Sequence, residues 1–361
     1  MIEIQNVEKK RKNIQIDVGK LFVYLAIFLL CFNYLLYNFF GFSEIKNYVR
    51  IVAILFILAS LFFKRELTLF NCVLLVTIAF IIAGNGVDSL NIAACFLLAI
   101  SIDFDVKTFD IVHKVSLLLS IVVLVSLMSG VVKGKQYVDT QERIRNTLGF
   151  GNVNSASLFF ASYIICFFMS KEKIKVYHII YALAISLILY LKTDSRTALG
   201  AVIVFLVVYI TLLSRFNNVF KNLFLLLEIV LFISPIFWIL PLSSSMDKFL
   251  SFRVTYFRNY IESNDLANLL LGGTQIADID NFFLILLFNV GIVGYLLLCY
   301  LIFKSSKNLI HSNKNKELAL IITILTVGLV ESTGVRVELG MTMLFWVVVI
   351  YYVKRQDRSL A

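Results

Sequence analysis

Read from the amino terminus, the chain alternates long apolar runs with short polar breaks. The apolar segments are 21–40, 47–63, 67–84, 89–102, 112–130, 152–170, 176–191, 196–213, 222–241, 282–303, 317–333 and 339–353. Most approach the roughly 20 residues that a helix needs to cross a bilayer. The pattern predicts an all-α polytopic membrane protein with about 12 transmembrane helices, forming a single integral membrane domain over residues 1–361. The runs 89–102 and 339–353 fall short of a full span, which predicts tilted, interfacial or re-entrant helices there. Two breaks are long, 131–151 and 242–281, and long structured loops tend to carry function.

Composition agrees with this reading. Of the 361 residues, 60% are hydrophobic and only 16% charged, against about 45–50% and about 25% in soluble domains. Lys9, Lys10, Arg11 and Lys12 precede an apolar run too long for a cleavable signal, so the first helix is expected to stay in the membrane. The net charge of +10 acquires meaning only when divided between the two membrane faces. With the basic tail 1–20 placed in the cytoplasm, 21 of the 33 Lys and Arg residues fall in cytoplasmic segments. The twelve remaining basic residues are balanced by acids, which predicts cytoplasmic amino and carboxyl termini and places 131–151 and 242–281 outside. No nucleic-acid partner is expected from this distribution. Cys31, Cys72, Cys95, Cys166 and Cys299 all lie in apolar runs and form no CxxC pair, so they read as small core residues. Only Pro235 and Pro241 interrupt the runs, which gives little of the broken-helix signature of transporters.

Four stretches on the expected outer side carry candidate chemistry. In RIRNTLGFGNVNSAS (143–157), Gly149 and Gly151 permit a tight turn and Asn152 and Asn154 can cap the next helix. Arg145 beside that helix start makes an anion site, and an ordinary capping turn explains the same residues. In LKTDSRTALGA (191–201), Asp194 or Ser195 caps a helix whose first turn holds Arg196, against the sign the helix dipole favours. A ligand phosphate or a carboxylate would account for it. In the loop 242–281, Phe249, Phe252, Tyr256, Phe257 and Tyr260 recur at near-helical spacing. Leu250 to Glu262 therefore reads as an interfacial aromatic helix that either guides a lipid-linked substrate or anchors the loop. Arg258 has Glu262 four residues on, whereas Arg253 lacks such a partner and is the better ligand candidate. Asp278, Asp280 and Asn281 open the span 282–303 as caps, as partners for guanidiniums or as a base. Glu331, Arg336 and Glu338 occupy the last outer turn near membrane depth, where ionisable groups are costly and often functional; a Glu331–Arg336 pair is the structural alternative. His113, His178 and His311 all fall on the inner side, so an outer site has a carboxylate or the substrate itself as its base and no histidine metal ligands.

TLGFGNVNSAS (147–157), TDSRTALGA (193–201), FRVTYFRNY with LLGGTQ, and DNFFLILLFNVGIVGYLLL (280–298) resemble the Wzy-type polysaccharide polymerases, which form one family with the O-antigen ligases. The resemblance covers about 140–300; the first five spans match in hydropathy alone. It implies a glycosyltransferase of GT-C architecture in a bacterial plasma membrane, with its site facing outward and a large outer loop. It also implies transfer of a growing chain from undecaprenyl pyrophosphate to an incoming undecaprenyl-pyrophosphate-linked oligosaccharide, without metal or other cofactor and with inversion. A flippase and a chain-length regulator of the same pathway are the implied partners. Carried over by position, Arg196 and Arg253 would bind pyrophosphate, with Arg145 and Arg258 in support. Asn152, Asn154, Tyr256, Tyr260 and Asn281 would line the substrate, and Asp280 and Glu331 would be catalytic. Many ligases carry a histidine where this chain has Asp280, a departure that favours the polymerase over the ligase. A flippase for the same lipid is the alternative from another class.

Overall fold

The computed structural model describes residues 18–63, 90–102, 106–138, 144–237 and 280–359, with isolated positions between 71 and 78 and between 255 and 272. Outside the described residues lie most of the basic tail, most of the expected span 67–84, and the greater part of the loop 242–281, including Arg253, Tyr256 and Tyr260.

The described chain is mostly helical: α1 (Val18–Asn38), α2 (Lys46–Phe62), α3 (Leu90–Ser101), α4 (Val106–Met128), α5 (Val153–Ser170), α6 (Val176–Thr193), α7 (Arg196–Leu213), α8 (Asn217–Phe237), α9 (Phe282–His311), α10 (Asn315–Gly328) and α11 (Gly340–Ser359). Eleven of the twelve apolar segments thus coincide with a described helix. Seven of these helices are long and apolar enough to cross a membrane, so the chain is a multi-pass membrane protein, coarser than the count of twelve.

Side-chain pattern separates inner from outer helices. On α6, His178, Ala182 and Ser186 are buried at four-residue spacing, with Thr193 continuing the same face. Ile180, Leu187, Ile188 and Leu191 are exposed on the other face. Small and polar residues therefore pack against the bundle and large apolar ones face outward, the arrangement of a helix in lipid, where close approach rather than water exclusion holds helices together. The helices α3, α5 and α10 and the first half of α11 are buried almost throughout. They form the centre, filled by Phe96, Phe282, Phe345 and Trp346 in edge-on contact.

Two features depart from the expected pattern. The segment 131–151 holds a small antiparallel pair, β1 (Gln136–Val138) and β2 (Ile144–Asn146), with Tyr137 opposite Arg145. The chain is therefore not purely helical. Gly149 follows it with the left-handed φ of 82° that the expected turn requires. The expected single span 282–303 is also broken: Gly291 takes φ 67° and ψ 174° inside α9. Phe282–Leu284, Leu286, Phe288 and Asn289 before the break are buried, whereas Val293, Leu296 and Tyr300 after it are exposed. A short buried half-helix thus precedes the lipid-facing part. Non-helical backbone at such depth is tolerated where it is buried in protein or lines a cavity.

The β-hairpin, the α1–α2 and α6–α7 turns, the start of α9 and the α10–α11 connection gather at one end of the bundle, the hairpin end. At the opposite end, Lys221 Nζ donates to Asn313 Oδ1 at 2.8 Å and Asn315 Nδ2 to the Leu212 carbonyl at 3.3 Å, tying α7 and α8 to the α9–α10 turn.

Candidate functional site

The connection from α10 to α11 builds the floor of the hairpin end. Residues Thr333–Val335 form a single 3-10 turn. Trp346 Nε1 donates to the Gly334 carbonyl at 2.8 Å and the Thr342 hydroxyl to the Thr333 carbonyl. Met341 N, the second residue of α11, donates to Ser162 Oγ, two and a half turns into α5. The connection therefore dips into the bundle before α11 starts, carrying Glu331, Arg336 and Glu338 below the rim.

Above it opens a cavity of about 470 Å³, within the range of small-ligand sites of ~300–1,000 Å³. One wall carries Asn152, Asn154, Asp280, Glu331 and Arg336; the other, from α1, α2 and α3, carries Tyr37, Asn38, Lys46, Arg50 and Asn91. Asn289, two residues before the interruption of α9, completes it.

The charges are ordered by specific contacts. Arg336 Nη2 reaches Asp280 Oδ1 at 3.3 Å and its Nε donates to Ser332 Oγ at 2.8 Å. Burial works against the Arg336 charge, but the facing Tyr34, Tyr37, Asp280 and Glu331 outweigh it; its pKa is raised above the ordinary arginine value and it stays a cation. Glu331, 1% exposed, accepts from Asn154 Nδ2 at 3.1 Å. Asn154 in turn accepts from Arg145 Nη2 at 3.3 Å, while Arg145 also donates to the carbonyls of Thr193 at 3.2 Å and Asp194 at 3.1 Å. Arg145 thereby ties the hairpin to the α6–α7 turn and orients Asn154 toward Glu331. Beneath the other wall, Arg50 Nε and Nη2 both donate to Glu338 Oε1, at 2.7 and 2.5 Å, with side chains 5% and 0% exposed.

The structure therefore brings Asn152, Asn154, Asp280 and Glu331 into one cavity and sets Arg145 directly behind it. Asn152 and Asn281 act as helix caps, accepting from Asn154 N at 2.8 Å and from Leu284 N at 3.0 Å. Asn281 is fully buried and also donates to the Leu329 carbonyl at 2.9 Å, so it fixes the start of α9 against the dipping connection. Ser195, the residue before α7, makes no side-chain cap: its Oγ accepts from Ser157 Oγ at 2.7 Å, while Asp194 ends α6 in the left-handed region. Arg196 stands exposed in the first turn of α7 and Arg258 is half-buried; neither is among the described residues that line the cavity.

Lys46, Arg50, Asn38 and Asn91 were not singled out by sequence reasoning. Arg50 had a usable signal, since an arginine inside an apolar run is costly unless it faces a partner or a wet cavity. Its partner Glu338 lies 288 residues away, beyond the reach of local pattern. The chain matches no known family model, no curated protein and no solved structure.

Proposed function

We propose that this chain polymerises undecaprenyl-pyrophosphate-linked oligosaccharide units into a surface polysaccharide, as the resemblance to Wzy-type polymerases implies, and that the cavity at the hairpin end is its site. The excess of Lys and Arg in the segments at the other end supports an orientation with the hairpin end outside the plasma membrane. The observation that carries the reading is the arrangement around Arg336: a half-buried guanidinium and a buried carboxylate, Glu331, lining one polar cavity.

In this mechanism Arg336, with Lys46 and Arg50 across the cavity, neutralises the leaving pyrophosphate, for which the planar guanidinium fork is suited. Asp280 holds Arg336 in place. Glu331, oriented by Asn154 and Arg145, takes the proton from the acceptor hydroxyl. The hydroxyl oxygen forms the new bond to the anomeric carbon as the bond to pyrophosphate breaks, and undecaprenyl pyrophosphate leaves with its electrons. A single displacement of this kind inverts the anomeric centre. Arg196 and Arg253 are assigned to the approach of the diphosphate, with Arg196 on the exposed rim.

Purified protein supplied with lipid-linked repeat units in EDTA tests the reading: ladders of increasing length are expected. A single transfer to another glycan would instead identify a ligase. The interruption of α9 at Gly291 favours a second reading, a flippase, because discontinuous helices mark transporter sites. Cells lacking the chain separate these two: single units accumulate on the outer leaflet if it is a polymerase and on the inner leaflet if it is a flippase.

A further inference from the structure

The asparagines around the cavity fall into two groups. Asn152, Asn154 and Asn289 all engage their side chains within the protein: Asn152 accepts from Asn154 N, Asn154 serves Glu331 and Arg145, and Asn289 Nδ2 donates to the Ile285 carbonyl at 2.8 Å. Asn38, at the end of α1, and Asn91, at the start of α3, each leave one end of the amide unengaged. Asn38 Nδ2 and Asn91 Oδ1 are sealed from solvent without a hydrogen-bond partner among the described residues, yet both residues line the cavity. Buried polar atoms are paired in nearly all native structures, and each exception calls for an explanation. Replacing these two amides with apolar side chains would remove the cost of leaving them idle.

We propose that Asn38 and Asn91 form the saccharide-recognising subsite of this cavity. The inference rests on the function proposed above and names the part of the substrate these residues take. A hydroxyl both donates and accepts, and so does a primary amide, which exchanges its two ends by rotating half a turn about its last bond. Neutral amides therefore match a polyhydroxylated ring better than a diphosphate does. The cations Lys46, Arg50 and Arg336 in the same lining match the anionic part of the same molecule. Sugar and pyrophosphate of one lipid-linked substrate thus engage separate sets of side chains, and the contribution of α1 and α3 is to read the sugar.

The experiment compares two probes on purified protein in nanodiscs: the lipid-linked oligosaccharide that accumulates in cells lacking this chain, and bare undecaprenyl pyrophosphate. Asn38→Leu and Asn91→Leu are each expected to weaken the glycosylated probe about three- to tenfold, the loss of one or two neutral hydrogen bonds, and to leave the bare carrier unchanged. Thermal midpoints are expected to stay level or rise, since an idle buried amide is gone; a purely structural role would lower them. If a leucine variant does not fold, the corresponding alanine variant gives the same comparison. Unchanged binding of the glycosylated probe, equal weakening of both probes, or a wild-type chain that does not distinguish them overturns the subsite and leaves the polymerase reading standing. Failure of the wild-type chain to bind either probe, or the absence of any accumulating lipid-linked oligosaccharide, overturns the polymerase reading and the subsite with it.

Discussion

Replacing Arg50 with methionine tests the buried ion pair that supports one wall of the cavity. In the wild-type chain two guanidinium nitrogens converge on Glu338 Oε1, and Glu338 Oε2 is buried without a partner. Removing Arg50 leaves a carboxylate of 0% side-chain exposure with neither donor. Breaking a buried pair from one side costs ~3–5 kcal/mol, because the remaining charge is uncompensated. Glu338→Met is expected to cost less, since Arg50 lines the cavity and keeps its bond to Asn47 Oδ1 at 3.1 Å. The double variant removes both charges. Replacing a whole buried pair with apolar side chains is neutral or stabilising by ~1–4 kcal/mol, so most of the single-variant loss should be recovered. Unfolding in mixed micelles, titrated with dodecyl sulfate and followed by the fluorescence of buried Trp346, measures all three. An Arg50→Met cost below about 1 kcal/mol, or a double variant as unstable as the two singles combined, would refute the reasoning.

Glu331→Gln is expected to lower turnover by roughly 10²–10⁴-fold with little change in stability, as for loss of a general base, whereas Asp280→Asn should act mainly on KM through Arg336; equal effects on turnover would oppose this division. Arg145→Ala should lower turnover without weakening pyrophosphate binding if it acts by orienting Asn154, and a binding defect of the same size as the turnover defect would assign it to the ligand instead. Gly334→Ala should destabilise the chain by ~1–3 kcal/mol, because the added carbon would lie 2.4 Å from the Phe282 ring; an unchanged thermal midpoint would show that the dipping connection moves freely.

Much of this architecture could be read from hydropathy, because a segment long enough to cross a bilayer has little choice but to be a helix. Asn152, Asn154, Asp280 and Glu331 were legible for a related reason: a polar or ionisable residue beside an apolar run stands out, and the structure gathers these four from three separate stretches. The break at Gly291 was not legible. The run 282–303 is apolar except for Asn289, and neither of its two glycines, Gly291 and Gly294, gives a sign in the sequence that φ at Gly291 is positive. The strands Gln136–Val138 and Ile144–Asn146 are three residues each, too short for alternation to show. The wall from α1, α2 and α3 escaped for a topological reason. Lys46 looks like the ordinary polar margin of an apolar segment, and Arg50, inside that segment, has no visible partner until the connection to the last helix brings back Glu338.

The central claim is that a lipid-linked diphosphate occupies the hairpin-end cavity against Arg336. Electron cryomicroscopy of the chain in nanodiscs with undecaprenyl pyrophosphate addresses it directly. Diphosphate density should lie in the cavity with an oxygen about 2.7–2.9 Å from an Arg336 Nη atom. Density at the opposite end instead, in the cavity of about 490 Å³ lined by Lys171, Lys314 and Lys316, would contradict the account.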